Sequence, residues 1–241
     1  MSKDKTGQSS PPITHCQRCG TCCSKGGPAL HLEDQELVES GEIALRDLFT
    51  IRQGEPAFDN ITHTIAPAVT DIIMVKGLPD NRPHCRYFDY ASKGCRIYAH
   101  RPLECQALEC WDTQAVESLY SVRRLTRRHL LSKVEGLWTL VQDHQDKCDY
   151  GYIDELATDL KRANSAKAAM DELLALIHYD EHLRQGTVER SSTDPEILPF
   201  LFGRPLSFTI QMFRLKLVDS PQGRTLEPLG PAHEQVCYRR Q

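Results

Sequence analysis

Eight of the ten cysteines fall in two bursts: Cys16, Cys19, Cys22 and Cys23, then Cys85, Cys95, Cys105 and Cys110. Four thiols within eight residues must share one small volume, which core packing does not explain. A soft or borderline-soft metal gathers thiolates in this way: zinc, iron or an iron–sulfur cluster. A Cys-x2-Cys turn aims two sulfurs at one centre. Gly20, lacking a Cβ, lets such a loop fold tightly with its amide N–H groups turned toward the thiolates. Cys16, Cys19 and Cys22 match the opening of a bacterial ferredoxin run, but no Cys-Pro follows three residues later. Cys22 and Cys23 would crowd one tetrahedral ion, so the doublet suggests a bridging thiolate or two neighbouring centres. Eight thiolates make two tetrahedral sites, or one cluster with spare ligands and a redox-active pair.

Disulfides are the competing explanation. Such frameworks staple chains far shorter than 241 residues, and a bond between adjacent cysteines is strained. Met1 to Pro12 is polar and lacks the apolar core of a secretory signal, so it reads as a disordered tail. A reducing, cytoplasmic setting follows, in which clustered thiols serve as ligands. Bringing Cys23 to Cys85 closes a loop of roughly sixty residues at a few kcal/mol. A structural zinc contributes on the order of 10–16 kcal/mol, enough to drive that closure.

The composition is that of an ordinary globular chain, 40% hydrophobic and 26% charged. A net charge of −4 gives no reason to expect nucleic acid as partner. No apolar run approaches the roughly 18–20 residues of a membrane span. Neither a GxGxxG nor a GxxxxGK[ST] loop is present, so nucleotide binding has no support. No Ser-His-Asp arrangement can be read.

The elements that must position these thiols are short at first. Glu33 to Glu39 reads as a helix with Leu37 and Val38 inward and Gly41 as its stop. An apolar stretch, Ile43 to Ile51, follows. One or two strands lie between Ile61 and Val75, and Gly77 to Pro83 is a turn. Beyond Asp112 the pattern becomes helical. Asp112 caps a helix carrying Val116, Leu119, Tyr120 and Arg123, and a second covers Val134 to Asp146 around Leu137, Trp138 and Val141. A third runs from Ile153 to Arg184, broken near Asn164 or Ser165, with an apolar face that includes Leu156, Leu160, Ala163 and Leu173. Pro195 to Pro205 reads as a loop. Leu206 to Val218 reads as a strand, returned as a hairpin by the turn Ser220 to Gly223.

The expected fold is α+β: an irregular, cysteine-rich, metal-clasped N-terminal module and a mainly helical C-terminal region ending in a β-hairpin. The expected division is a tail over 1–12, a cysteine-cluster domain over 13–112 and a helical region over 113–241.

The string Cys16-Gln17-Arg18-Cys19-Gly20-Thr21-Cys22-Cys23, followed by Gly94-Cys95-Arg96-Ile97-Tyr98-Ala99-His100-Arg101-Pro102-Leu103-Glu104-Cys105 and Cys110, resembles the CxxCxxCC family. These are YkgJ-type cysteine-cluster proteins described as candidate zinc- or iron-chelating domains. All eight cysteine positions and the Ile-Tyr-x-x-Arg-Pro segment have a match, over roughly residues 15–112. Gln106 departs from the aromatic or small residue common after the Cys105 position. The resemblance implies metal binding by Cys16, Cys19, Cys22, Cys23, Cys85, Cys95, Cys105 and Cys110, and no defined biochemical role. Flagellin lysine methylases are similar in cysteine pattern, so an iron–sulfur enzyme or redox protein, such as a protein-modifying enzyme, is the alternative reading.

Other residues stand near this constellation. Arg101 is placed to donate to sulfur or to lower thiol pKa values, or to hold the loop by a salt bridge. His15, His84 and His100 are substitutes for a sulfur ligand, and Tyr98 and Trp111 are shields against water. Cys148 reads as an ordinary thiol and Cys237 as an exposed one. Arg123, Arg124, Arg127 and Arg128, with His129, form a basic group that either grips an acidic protein partner or is a solvated face paired with Asp and Glu.

Overall fold

The computed structural model describes residues 14–79, 84–162, 164–221 and 223–230. The N-terminal tail, Asp80 to Pro83 of the expected turn, Ala163, Gln222 and Cys237 lie outside the described residues.

The fold is α+β. Its strands are β1 (Leu48–Ile51), β2 (Pro56–Asp59), β3 (Thr64–Pro67), β4 (Ile72–Val75), β5 (Phe88–Asp89), β6 (Gly94–Cys95), β7 (Leu215–Ser220) and β8 (Gly223–Pro228). They form four antiparallel pairs, β1–β4, β2–β3, β5–β6 and β7–β8. The expected strands before Val75 are β3 and β4, and the C-terminal hairpin is β7–β8. The β1–β4 ribbon is buried on both faces with a two-residue alternation. Leu48, Ile73 and Val75 face one apolar cluster, whereas Phe49, Ile51, Ile72 and Met74 face another.

The helices are α1 (Gln35–Glu39), α2 (Leu103–Ala107), α3 (Gln114–Leu119), α4 (Arg127–Leu131), α5 (Glu135–Lys147), α6 (Tyr150–Asp159), α7 (Ala166–Ser191), α8 (Leu198–Phe202) and α9 (Leu206–Thr209). Asp112 accepts the Gln114 N–H at 3.0 Å from one residue before the N-cap position, which Thr113 holds, and α3 stops at Leu119, short of the Arg123 expected in it. The long helical stretch is broken, as expected, between α6 and α7. Asp149 starts α6 by accepting the Tyr152 N–H at 2.9 Å.

Two expectations fail. Pro195 to Pro205 is helical where a loop was read: a 3-10 turn over Pro195–Ile197 leads into α8, and Pro205 precedes α9. Each proline stands in a first turn or before it, where the missing N–H has no intrahelical partner to lose. Leu206 to Phe213 is helical where a strand was read, and the strand begins only at Leu215. Ser207, Thr209 and Gln211 alternate with apolar residues, a strand-like period that tertiary contacts override. Here Asp180 of α7 accepts the Leu206 N–H at 2.9 Å, which favours the helical start.

Two large apolar clusters fill the molecule. The first joins Leu30, Ile43, Leu48, Ile73, Val75 and Cys85 to Leu125, Leu131, Val141 and Phe200–Phe202. The second joins α6 and α7 to α9 and the hairpin through Ile153, Leu156, Leu173, Leu176, Ile210, Leu215 and Leu226. Among the described residues no helix is long and apolar enough to cross a membrane.

A polar node lies within this apolar interior. Fully buried Asp180 meets His144 Nε2 at 2.7 Å and accepts from Arg184 Nε at 2.9 Å. Burial, reinforced by the Arg52 and Arg184 charges and only partly offset by the Asp180 hydrogen bond, pushes His144 down to about 4. The unfolded chain protonates this ring near pH 6.5. It therefore holds the extra proton between about pH 6.5 and 4, and stability falls as pH drops through that window, by on the order of 3 kcal/mol. His144→Gln keeps a donor for Asp180 and removes the titration. The stability difference between wild type and H144Q, from urea unfolding, should shift by a similar amount between pH 7 and pH 4.5. A difference independent of pH would refute this account.

Candidate metal centre

The first cysteine burst is a loop tightened by Ser24 N–H donating to Gly20 C=O at 3.0 Å and by a 3-10 turn over Cys23–Lys25. Gly20 is buried with φ +76°, and a Cβ there would lie 2.5 Å from the Phe88 ring. Only glycine lets this loop lie against the β5–β6 hairpin. The second burst is delivered by three supports. Cys85 sits in the first apolar cluster, Cys95 is on β6, and Cys105 is on α2.

The bursts meet through contacts that involve no sulfur. The Cys85 N–H donates to Cys23 C=O at 2.7 Å. The Arg18 and Arg101 guanidiniums lie 4.0 and 4.3 Å from the Tyr98 ring centroid, so residues of both segments stack on one aromatic side chain. Arg101 otherwise donates to the Tyr98 and Cys105 carbonyls, at 3.2 and 3.3 Å. It therefore holds the backbone, in place of the sulfur contact or salt bridge read for it, and its charge works to lower the Cys95 thiol, the other role read for it.

All eight cysteines border two adjoining cavities. The first, of about 230 Å³, is lined by Cys16, Cys19, Cys22, Cys23, Cys95 and Cys110, with Tyr98 and Trp111. The second, of about 510 Å³, is lined by Cys22, Cys23, Cys85, Cys95, Cys105 and Cys110, with Glu104. Cys22, Cys23, Cys95 and Cys110 form the common wall. Among the described residues no three Cys, His, Asp or Glu side chains group closely enough to hold an ion. The thiols border the space without closing on a common point.

The donor set suits a soft cation. With Zn–S bonds of about 2.3 Å, two thiolates on a tetrahedral ion stand about 3.8 Å apart. Cys22 and Cys23 Sγ are 3.9 Å apart, so the doublet can flank one ion or carry one sulfur to each of two adjoining ions. Burial pushes the Cys85 thiol up to about 11 and also raises Cys95 and Cys105, and neighbouring thiols add to each rise. The Cys23 thiol, sharing its proton with Cys22, is raised, while Cys22 is lowered to about 6. The Thr21 hydroxyl, 3.2 Å from Cys19 Sγ, lowers Cys19. Thiols that raise one another are relieved by a divalent cation placed among them.

Of the histidines read as substitutes, His15 lines the first cavity and His100 is exposed. His84 packs 5.0 Å from both Phe88 and Tyr90, its Nδ1 buried and without a hydrogen-bond partner among the described residues. Tyr98 and Trp111 both line the first cavity, where a shield was expected. Cys148 is buried in the second apolar cluster and pushed by burial up to about 12.

The four arginines do not form one surface. Arg124 and Arg127 are buried, Arg123 pairs with Glu33 at 2.8 Å, and Arg128 is exposed. Arg127 grips Asp71 with Nε and Nη2 at 2.7 and 2.9 Å. Arg124 Nη1 donates to Glu104 Oε1 at 2.7 Å. Sequence reading missed this second partnership, which steadies the helix carrying Cys105. Glu104 Oε2 accepts the Ala29 N–H at 2.9 Å, Oε1 lies 3.2 Å from His31 Nε2, and Asp34 accepts the Leu103 N–H at 2.8 Å. Burial alone would raise Glu104, but His31 and Arg124 outweigh it and hold the carboxyl below its usual range. Glu104 stood within the recognised motif, yet nothing local marks its partners 75 residues before it and 20 after.

Residues 15–133 match the family model described as "CxxCxxCC: Putative zinc- or iron-chelating domain". They belong to the CxxCxxCC family. The CxxCxxCC match extends past the second burst to take in α3, α4 and Arg124, the residue that anchors Glu104. Comparisons with curated proteins and with solved structures give no significant match.

Removing Glu104 leaves the Arg124 charge buried and unpaired. Glu104→Ala should therefore cost roughly 3 kcal/mol in chemical denaturation, whereas Arg123→Ala, at an exposed pair, should cost less than about 1 kcal/mol. Equal costs would contradict the assigned role of Glu104.

Proposed function

We propose that this chain binds zinc or iron through its eight clustered cysteines, as two neighbouring four-thiolate centres. The observation that carries the reading is that thiols from two distant segments border two cavities with a common wall. Cys16 and Cys19 border only the first, and Cys85 and Cys105 only the second. Of the shared residues, Cys22 neighbours both groups, interacting with Cys110 and also with Cys85, Cys95 and Cys105, and so stands at the junction, whereas Cys110 and Cys23 each lean to one side. The Cys110 thiol interacts electrostatically with Cys22, Cys19 and Cys16. The Cys23 thiol does so with Cys85 and Cys95 as well as with Cys22. The first centre is then Cys16, Cys19, Cys22 and Cys110, and the second is Cys23, Cys85, Cys95 and Cys105.

A tetrahedral four-sulfur set suits zinc or iron. The bound ion would neutralise mutually repelling thiolates and fasten both segments to the first apolar cluster. This is a structural or metal-handling role, and it suits a reducing, cytoplasmic compartment in which thiols stay free for ligation. Because raised thiols must lose protons to bind, metal uptake should release protons and weaken on acidification.

Elemental analysis of protein purified anaerobically, with an absorption spectrum, tests the assignment. Cys19→Ser and Cys105→Ser should each remove about half of the bound metal, and Cys148→Ser none, as expected for four-ligand sites. Wild-type protein without zinc or iron, or full loading of C19S, would sink the proposal. Loss of all metal and of a visible chromophore in either variant would favour the alternative of one iron–sulfur centre in an enzyme or redox protein.

A further inference from the structure

Two histidines outside the thiol site have the spacing of a chelating pair. His178 and His182 lie one turn apart on α7, both exposed, with ring centroids 4.1 Å apart and planes at 60°. Spacing of i and i+4 puts two side chains on one helix face. It is the spacing by which paired helical imidazoles bind zinc.

A second observation concerns the proton. His182 Nδ1 lies 3.2 Å from the His178 carbonyl oxygen. A carbonyl only accepts, so in the neutral ring Nδ1 carries the hydrogen and Nε2 keeps its lone pair. Metal-binding histidines are oriented in this way, one ring nitrogen donating to a backbone oxygen while the other ligates. Glu181, between the two, is held by Arg224 at 2.5 and 3.0 Å. The two rings are thus the donors this face presents, and α7 contributes no residue to either thiol cavity.

We propose that His178 and His182 form a separate, exchangeable metal site that chelates a borderline divalent cation, Zn²⁺, Ni²⁺ or Cu²⁺, with water in the remaining positions. Two imidazoles match these ions better than they match Mg²⁺ or Ca²⁺, which prefer oxygen. With two protein ligands and an open face, the ion exchanges readily, unlike one enclosed by four thiolates.

The test is calorimetric titration of untagged, full-length protein, as isolated, with Ni²⁺. Metal already bound to the thiols is quantified before and after. Wild type should take up one Ni²⁺ without displacing that metal. His178→Ala and His182→Ala should each weaken uptake by roughly a hundredfold, the advantage of two linked ligands over one. His63→Ala, at another exposed histidine, should leave uptake unchanged. No Ni²⁺ binding by wild type, or unaltered affinity in H178A or H182A, overturns the site. Since these variants leave all eight cysteines intact, the outcome is independent of whether the thiol centres are correctly assigned.

Discussion

Thiolates repel one another, so eight of them can border two adjoining cavities only if forces other than sulfur chemistry hold their chain segments together. In this fold those forces are backbone and aromatic. The hydrogen bond from Cys85 to Cys23, the seating of Gly20 on Phe88 and the sharing of Tyr98 by Arg18 and Arg101 bring the two bursts into register. The site is thus partly prepared before any ion is considered. A loop of roughly sixty residues is closed by ordinary contacts, and the entropy of closure is offset by them.

Around that junction the protein relies on buried ion pairs. Asp71 with Arg127 and Glu104 with Arg124 each join separate elements, and Asp180, paired with Arg184 on its own helix, reaches the neutral His144 ring of α5 by a hydrogen bond. Buried pairs of this kind add little net stability, because desolvation consumes most of the Coulomb gain. Their geometry is nonetheless demanding, and each also satisfies backbone groups. Arg127 reaches the Leu201 carbonyl, Glu104 the Ala29 amide and Asp180 the Leu206 amide. They fix which segments lie side by side, while the apolar clusters supply the bulk of the stabilisation.

What could be read from the sequence follows the range of the interaction. The cysteine spacing, the helix start near Asp112, the break before α7 and the C-terminal hairpin are local patterns, and each was legible. The short helices after Pro195 were hidden because prolines in first turns look the same as prolines in loops. Leu206 to Phe213 was misread because its apolar residues alternate with Ser207, Thr209 and Gln211, the two-residue period of a strand. The arginine group looked like a surface because its carboxylate partners for Arg124 and Arg127 lie 20 and 56 residues away in sequence. Glu104 escaped notice for the same reason: its role exists only once the chain has folded. The spacing of the Cys22 and Cys23 sulfurs likewise depends on side-chain rotamers, on which one-dimensional spacing is silent.

The apolar cluster that takes in Cys85 also contains Phe200, Leu201 and Phe202. A nascent chain leaving the ribosome would therefore expose all eight clustered cysteines some ninety residues before the hydrophobic floor beneath them could form. During that interval the thiols would be open to whatever ion or oxidant reached them first. On the proposed metal-binding reading, metallation is a matter of timing during synthesis as much as of affinity in the finished molecule.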